Sequence, residues 1–276
     1  MPSLIDLHIH TTASDGSDTP QVLAAKIAAA GIRVFSVTDH DTIEGALLME
    51  SLVPEGVTFL RGVEFSCVSP AGKCHILGYG YDPDHPQFQA ALEEGRQLRR
   101  EKLERRIAHL RENFGVELTG EESAWLHSRK SPGRPHLGKL LVDRGMAPDL
   151  SAAIKRYLGN VPGRDRIEAE TAIRAIEAAG GISVWAHPLG GEGEKRLTSE
   201  QFEKQLETLL ACGIRGLECW YSRYCMEEVD FLRSKARQHG LTITGGSDYH
   251  GSNKKNLELG QLNLENIPAA GITLVV

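Results

Sequence analysis

The chain has 276 residues, 41% hydrophobic and 25% charged, with a formal net charge of −6. That is the profile of a soluble α/β domain, or of one domain carrying an insertion. It excludes a membrane-spanning protein, since no stretch is long and apolar enough, and it argues against a general nucleic-acid binder. Asp6 and His8 interrupt the first apolar run, so no signal peptide is expected. The five cysteines (Cys67, Cys74, Cys212, Cys219, Cys225) form no C-x-x-C pair, and reduced thiols in the cytoplasm are expected.

Taken in order, Ser3–Ile9 reads as a strand. Thr19-Pro20 then supplies an N-cap and a proline at the first helical position, and the helix Gln21–Ala30 stops at Gly31. Val34–Thr38 is an apolar strand, Ile43–Leu52 a short helix, and Val57–Phe65 and Cys74–Tyr79 two more strands. Apolar strands separated by helices predict a parallel sheet covered on both faces. After Tyr81-Asp82-Pro83 the pattern changes to helices near Gln87–Glu112, Gly120–His127, Leu137–Arg144 and Leu150–Leu158, with no convincing strand before Arg166. Alternation resumes with helix Ala169–Ala179, strand Ile182–Ala186, helix Ser199–Cys212, strand Ile214–Trp220, helix Tyr224–His239 and strand Leu241–Gly245. Ile272–Val276 reads as a last strand. The expected division is a discontinuous α/β domain, 1–82 and 167–276, with a helical insertion or cap over 83–166.

Charge is uneven along the chain. Between Ser128 and Arg166 stand nine basic residues and three acidic ones, a net of +6 inside an acidic protein. Such a segment can steer an anionic ligand.

Acid–histidine clusters sit where strands are expected to end: Asp6-Leu7-His8-Ile9-His10, Thr38-Asp39-His40-Asp41, Ala186-His187-Pro188 and Asp248-Tyr249-His250. Side chains two apart on a strand share a face, so His8 pairs with His10 and Asp248 with His250. With Asp15, Glu64, His75 and His136 the set holds seven of the eleven histidines. Imidazole and carboxylate are ligands for Zn, Mn or Fe, and one site gathering them would hold several ions.

These motifs, with Ser14-Asp15-Gly16 and Gly246-Ser247, resemble in order those of the polymerase and histidinol phosphatase (PHP) superfamily, over nearly the whole chain. The resemblance implies a distorted (β/α)7 barrel with an inserted helical cap, a trinuclear metal centre and phosphoester hydrolysis. It implies His8, His10 and Asp248 on a first metal, Glu64 bridging to a second completed by His75 and His136, and Asp15, His40, His187 and His250 on a third. Asp15, Glu64, His187 and Asp248 are then the expected catalytic set. Asp6, Asp39 and Asp41 are expected to orient histidine rings. The cofactors implied are three divalent ions, Mn2+ first, with Fe2+ or Zn2+ as alternatives.

Within the +6 segment, Arg129, Lys130 and Arg134 precede His136 and are read as binding a second, uncleaved phosphate. Trp125, Tyr221 and Tyr249 are candidate stacking partners for a base. The resulting expectation is a phosphatase removing the 3′-phosphate of a nucleoside 3′,5′-bisphosphate through a metal-bridging hydroxide, leaving an AMP-like product. The alternatives are a 5′→3′ exonuclease on short 5′-phosphorylated oligonucleotides, a histidinol-phosphate phosphatase, C–N hydrolysis, and an inactive metal-binding domain. No membrane and no obligate protein partner are expected.

Overall fold

In the computed structural model the described residues are 4–159, 161–191, 195–267 and 269. The first half of the α/β part comprises β1 (Ile5–Asp6), α1 (Pro20–Ala30), β2 (Val34–Val37), α2 (Glu44–Glu50), β3 (Thr58–Ser69) and β4 (Gly72–Tyr79). Four helices follow: α3 (Pro86–Phe114), α4 (Gly120–His127), α5 (Arg134–Asp143) and α6 (Leu150–Tyr157). The rest is β5 (Ile167–Glu168), α7 (Ala169–Ala178), β6 (Ile182–Trp185), α8 (Ser199–Ala211), β7 (Gly216–Tyr221), α9 (Met226–Gln238) and β8 (Thr242–Gly246). The last predicted strand, Ile272–Val276, lies outside the described residues.

The helix ends follow local chemistry. Thr19 caps α1 by accepting the Val22 N–H, and Gly31 closes it at φ 71°. Thr119 with Glu122, and Thr198 with Gln201, form reciprocal capping boxes at α4 and α8. Among the described residues no helix is long and apolar enough to cross a membrane.

The strands run β1-β2-β3-β4-β6-β7-β8, with β5 paired only to β3. Bonds from Leu7 N to Gly245 O (3.1 Å), Asp248 N to His8 O (2.8 Å) and His10 N to Tyr249 O (2.8 Å) carry β8 back onto β1, so the sheet curls into a nearly closed barrel. Gly246 permits this approach, because a Cβ there would lie 2.1 Å from His8 Cβ. Leu7, just after β1, forms one buried cluster with Leu77 and Tyr79 of β4 and Val184 of β6. The helices of the middle segment pack around their own core, including Leu103, Leu110, Leu126, Leu137 and Tyr157.

Two expectations need correction. The sheet is mixed: β4 runs antiparallel to both β3 and β6. Only Pro70 and Ala71 separate β3 from β4, far too few residues for a crossover helix, so a hairpin is forced. Also, β3 is twelve residues long, and Glu64 lies inside it rather than at its end. Its level is still that of the barrel mouth, since β2 pairs with β3 only up to Val37↔Arg61 and His40 bridges Glu64 beyond.

Candidate metal centre

Glu64 is the hub. It is 1% exposed, and its two oxygens face different neighbours. Oε2 lies 3.3 Å from His8 Nε2, 3.2 Å from His10 Nε2 and 3.1 Å from His40 Nδ1. Oε1 lies 2.8 Å from His75 Nδ1 and 3.2 Å from His187 Nε2. A carboxylate with imidazoles on both oxygens has the shape of a bridge.

Three constellations around it bring ligand atoms within 4.8 Å of one another: His8, His10 and Asp248; His40, Glu64 and His75; and His10, Asp15, His40 and His250. Asp248 divides its labour. Oδ1 faces His8 and His10 at 3.6 and 3.4 Å, while Oδ2 accepts the Tyr221 hydroxyl (2.8 Å) and the Lys254 ammonium. Asp15 Oδ1 lies 3.2 Å from His250 Nε2. Asp41, His187 and Asp248 hold φ of 51°, 29° and 59°, sparsely populated conformations that re-aim side chains as the chain leaves the barrel.

These residues fit divalent metal. His8 Nε2, His10 Nε2, His40 Nδ1 and Glu64 Oε2 are all buried with no hydrogen-bond partner, a costly arrangement for polar atoms left to themselves. The three nitrogens lie 3.1–3.3 Å from Glu64 Oε2, close to the tetrahedral edge set by metal bonds of about 2.0–2.1 Å. Electrostatics agree. Burial opposes charge on Glu64, but the surrounding imidazoles His40, His75 and His8 hold its carboxyl well below the usual range. Burial likewise opposes the charged form of Asp15, yet His40 and His250 keep it ionised. Burial lowers His40 and His75, leaving neutral rings with a free lone pair. His8 and His10 are buried too, but carboxylates outweigh that: Glu218 first for His8, which is raised well above its usual value, and Asp248 and Glu64 for His10, raised to about 9.

Some predicted residues fall elsewhere. His136 joins none of the three constellations among the described residues. At the third position of α5 its Nδ1 accepts the Gly133 N–H (3.1 Å), and the ring also bonds the Ser14 backbone. His187 lies beside Glu64 and His75 rather than in the group of Asp15 and His250. Among the described residues none of Asp6, Asp39 and Asp41 bonds a histidine ring directly, though Asp39 reaches His10 through Ser14, whose Oγ lies 3.5 Å from His10 Nδ1. Asp6 accepts from Ser247 N and Oγ and Gly260 N, and burial pushes its carboxyl up to about 6 despite those bonds. Asp39 accepts from Thr11 and Ser14, and Asp41 from Ser66 N and Arg99. The ring-orienting acid is Glu218 on β7. Its Oε1 takes His8 Nδ1 at 2.9 Å and its Oε2 accepts the His187 N–H at 2.7 Å, so His8 turns Nε2 to the centre. A single acid in the wholly buried strand Gly-Leu-Glu-Cys-Trp-Tyr was the signal for it.

The cations are on the helical side. Arg129 lies over the Trp125 ring at 5.3 Å, and exposed Lys130 pairs with Glu44 at 3.2 Å. Arg134 opens α5 and is exposed. Arg99 and Arg166 are the cations acting on His40 and His75. Tyr221 and Tyr249 are buried with their hydroxyls on Asp248 and Asp18, which removes them as base-stacking surfaces; Trp125 is half-buried.

A barrel whose mouth gathers imidazoles and carboxylates into adjoining metal-fitting groups defines a metal-dependent phosphoesterase when set beside proteins of known class. No family model matches the chain. It is 33% identical over 257 residues to a 5′-3′ exoribonuclease of Haemophilus influenzae, covering 91% of each chain. It is 29% identical over 271 residues to a 3′,5′-nucleoside bisphosphate phosphatase of Chromobacterium violaceum, covering 96% of this chain and 92% of that one. A solved structure from Bifidobacterium adolescentis, described as a metal-dependent phosphoesterase, superposes with a TM-score of 0.82 at 27% identity, over 96% of this chain and 95% of the other. The chain belongs to the PHP family of metal-dependent phosphoesterases. It is a hydrolase acting on phosphoester bonds.

Proposed function

We propose that the protein removes the 3′-phosphate of a nucleoside 3′,5′-bisphosphate, giving a 5′-mononucleotide and phosphate. The observation that carries this reading is the pairing of two features at one mouth: metal-fitting groups centred on Glu64, and cations beside them, with Arg99 acting on His40 and Arg166 on His75. The first suits the phosphate that is cleaved, the second a phosphate that is kept. Similarity to a bisphosphate phosphatase over 96% of the chain supports it.

Three divalent ions, Mn2+ first, fit the proposed ligands His8, His10, Asp15, His40, Glu64, His75, His187, Asp248 and His250. When bound, such ions supply Lewis acidity toward phosphoryl oxygens and lower the pKa of water. The chain's own residues do the rest. Glu64 holds the groups in register through its two oxygens. Glu218 fixes the His8 tautomer, and Tyr221 and Lys254 fix the Asp248 carboxylate. Asp15, Glu64, His187 and Asp248 form the catalytic set around the phosphoryl group. Burial of these groups strengthens their interaction with the anionic ester.

A second reading, 5′→3′ exonucleolytic cleavage of short 5′-phosphorylated oligonucleotides, is favoured by the 33% identical exoribonuclease. Both reactions break a bond on the 3′ side of a 5′-phosphorylated nucleotide. Mn2+-loaded protein should release phosphate from a nucleoside 3′,5′-bisphosphate with a higher kcat/KM than it shows on a 5′-phosphorylated oligonucleotide. The reverse ranking would replace the first reading with the second.

A further inference from the structure

Helix α3 carries Arg99, Lys102 and Arg106 at spacings of three and four, so all three lie on one face. Two of them are anchored. Arg99 donates to Asp41 and, through Nη2, to Ser66 Oγ at 2.8 Å. Lys102 is paired with Asp165. Arg106 is different. It is 7% exposed, its Nε has no hydrogen-bond partner, and no carboxylate pairs with it among the described residues. The largest charge effects on it come from Arg134, Arg99, Asp165 and Arg166. That is three guanidiniums against one carboxylate, and the carboxylate is already held by Lys102. Burial first, then the neighbouring guanidiniums, pull Arg106 down to about 9. A guanidinium buried among like charges without a counter-ion is an expensive arrangement, and a fold that keeps one needs a reason.

The position of the cluster supplies that reason. Arg99 also acts on His136, and a Cβ at Gly133 would lie 3.7 Å from Arg99 Nη1 and 3.9 Å from Asp15 Oδ2. Arg99 therefore stands beside Asp15 and His136, and Arg106 follows about two turns farther along the same face of α3. A cleft of about 320 Å³ is lined by residues that include Lys73, Asp165 and Arg166, the last two among the charges acting on Arg106. The sequence reading named Arg129, Lys130 and Arg134; the first two are engaged with Trp125 and Glu44, and Arg134 is exposed.

We propose that Arg106, with Arg134 beside it, is the receptor for a phosphate monoester dianion that is bound and not cleaved, the 5′-phosphate of the nucleotide substrate. This rests on the substrate reading above and names the residue that enforces it. A dianion answers the unpaired guanidinium and screens Arg106 from Arg134, Arg99 and Arg166. The planar fork matches phosphate oxygens two at a time.

The test uses the full-length metal-loaded protein, Arg106→Met and Arg106→Lys. Two pairs of esters are compared: a nucleoside 3′,5′-bisphosphate against the 3′-monophosphate, and a short oligonucleotide with a 5′-phosphate against one with a 5′-hydroxyl. The quantity read is the ratio of kcat/KM within each pair, which cancels any loss common to both members. The wild type should favour the 5′-phosphorylated member, and Arg106→Met should erase roughly 10- to 100-fold of that preference, as expected for a lost charged hydrogen bond. Arg106→Lys should retain part of it. In a thermal melt, a 5′-mononucleotide should stabilise the wild type and not Arg106→Met, and without nucleotide Arg106→Met should melt no lower than the wild type. A preference unchanged in Arg106→Met, or absent from the wild type, overturns the receptor. A wild type that cleaves the 5′-phosphorylated oligonucleotide but not the bisphosphate overturns the substrate reading and leaves the receptor standing.

Discussion

The barrel mouth and the helical segment face the same site and are built on opposite terms. At the mouth the functional groups are acids and imidazoles on short side chains, held by barrel strands or the turns that leave them, and mostly buried, with Asp15, His40 and His75 partly exposed. Their aim is set by backbone, through the left-handed turns at Asp41 and Asp248, and by buried partners such as Glu218. The helical side offers long arginines from α3 and α5, with a core of its own around Leu110 and Leu137. The difference matches the two demands of phosphoester chemistry. Holding several ions needs fixed interatomic distances, which a closed sheet supplies. Seating a spare phosphate needs charge and reach, which helices supply with less geometric constraint.

Substitutions at the mouth should therefore act on metal and rate, and those on the helices on substrate choice and stability. The largest effect belongs to Glu64→Gln. Losing the hub should remove bound metal and lower kcat/KM by more than the ~10- to 100-fold typical of an outer-sphere partner; metal analysis with a phosphate-release assay checks both. Full metal content in that variant would break the distinction at its centre. Glu218→Gln comes next, with metal affinity falling about 10- to 100-fold while urea stability of the metal-free protein changes little by comparison. A competitive chelator titration reads the first quantity. Gly246→Ala tests whether the mouth depends on barrel closure. Its Cβ would lie 2.1 Å from His8 Cβ, so overpacking should cost about 1–3 kcal/mol in a urea melt, with metal affinity weakened too. Native stability would mean that β8 and β1 close by another route.

The smallest effect is on the helical side. Glu122 is held down to about 2 by Arg144 and the Thr119 cap. Its folded pKa lies below the usual carboxylate value of 4.5, so its contribution is present above pH ~4.5 and disappears as pH falls toward 2. The pair is near the surface, so Glu122→Gln should cost roughly 0.2–1 kcal/mol at neutral pH and flatten the loss of stability over that acid window. An unchanged acid profile would count against the pair.

Much of the mouth was legible in sequence because strand periodicity is simple. His8 with His10, and Asp248 with His250, announce shared faces by a spacing of two. The helical side was not. Arg106 sits among many charged residues of α3, and only burial distinguishes it from its solvated neighbours. His136 was grouped with ligands through the family resemblance; its ring lies outside the three constellations and bonds the Gly133 and Ser14 backbones. The parallel-sheet expectation failed at one place, where the short Pro70-Ala71 connection left no room for a helix.

The account stands or falls on cations gathering around one carboxylate. Anomalous diffraction from crystals of the protein grown with Mn2+ addresses this directly. The predicted result is a cluster of peaks within bonding distance of Glu64, with His8, His10, His40, His75 and Asp248 completing the coordination. An empty barrel mouth in protein that hydrolyses phosphoesters at full rate would contradict it.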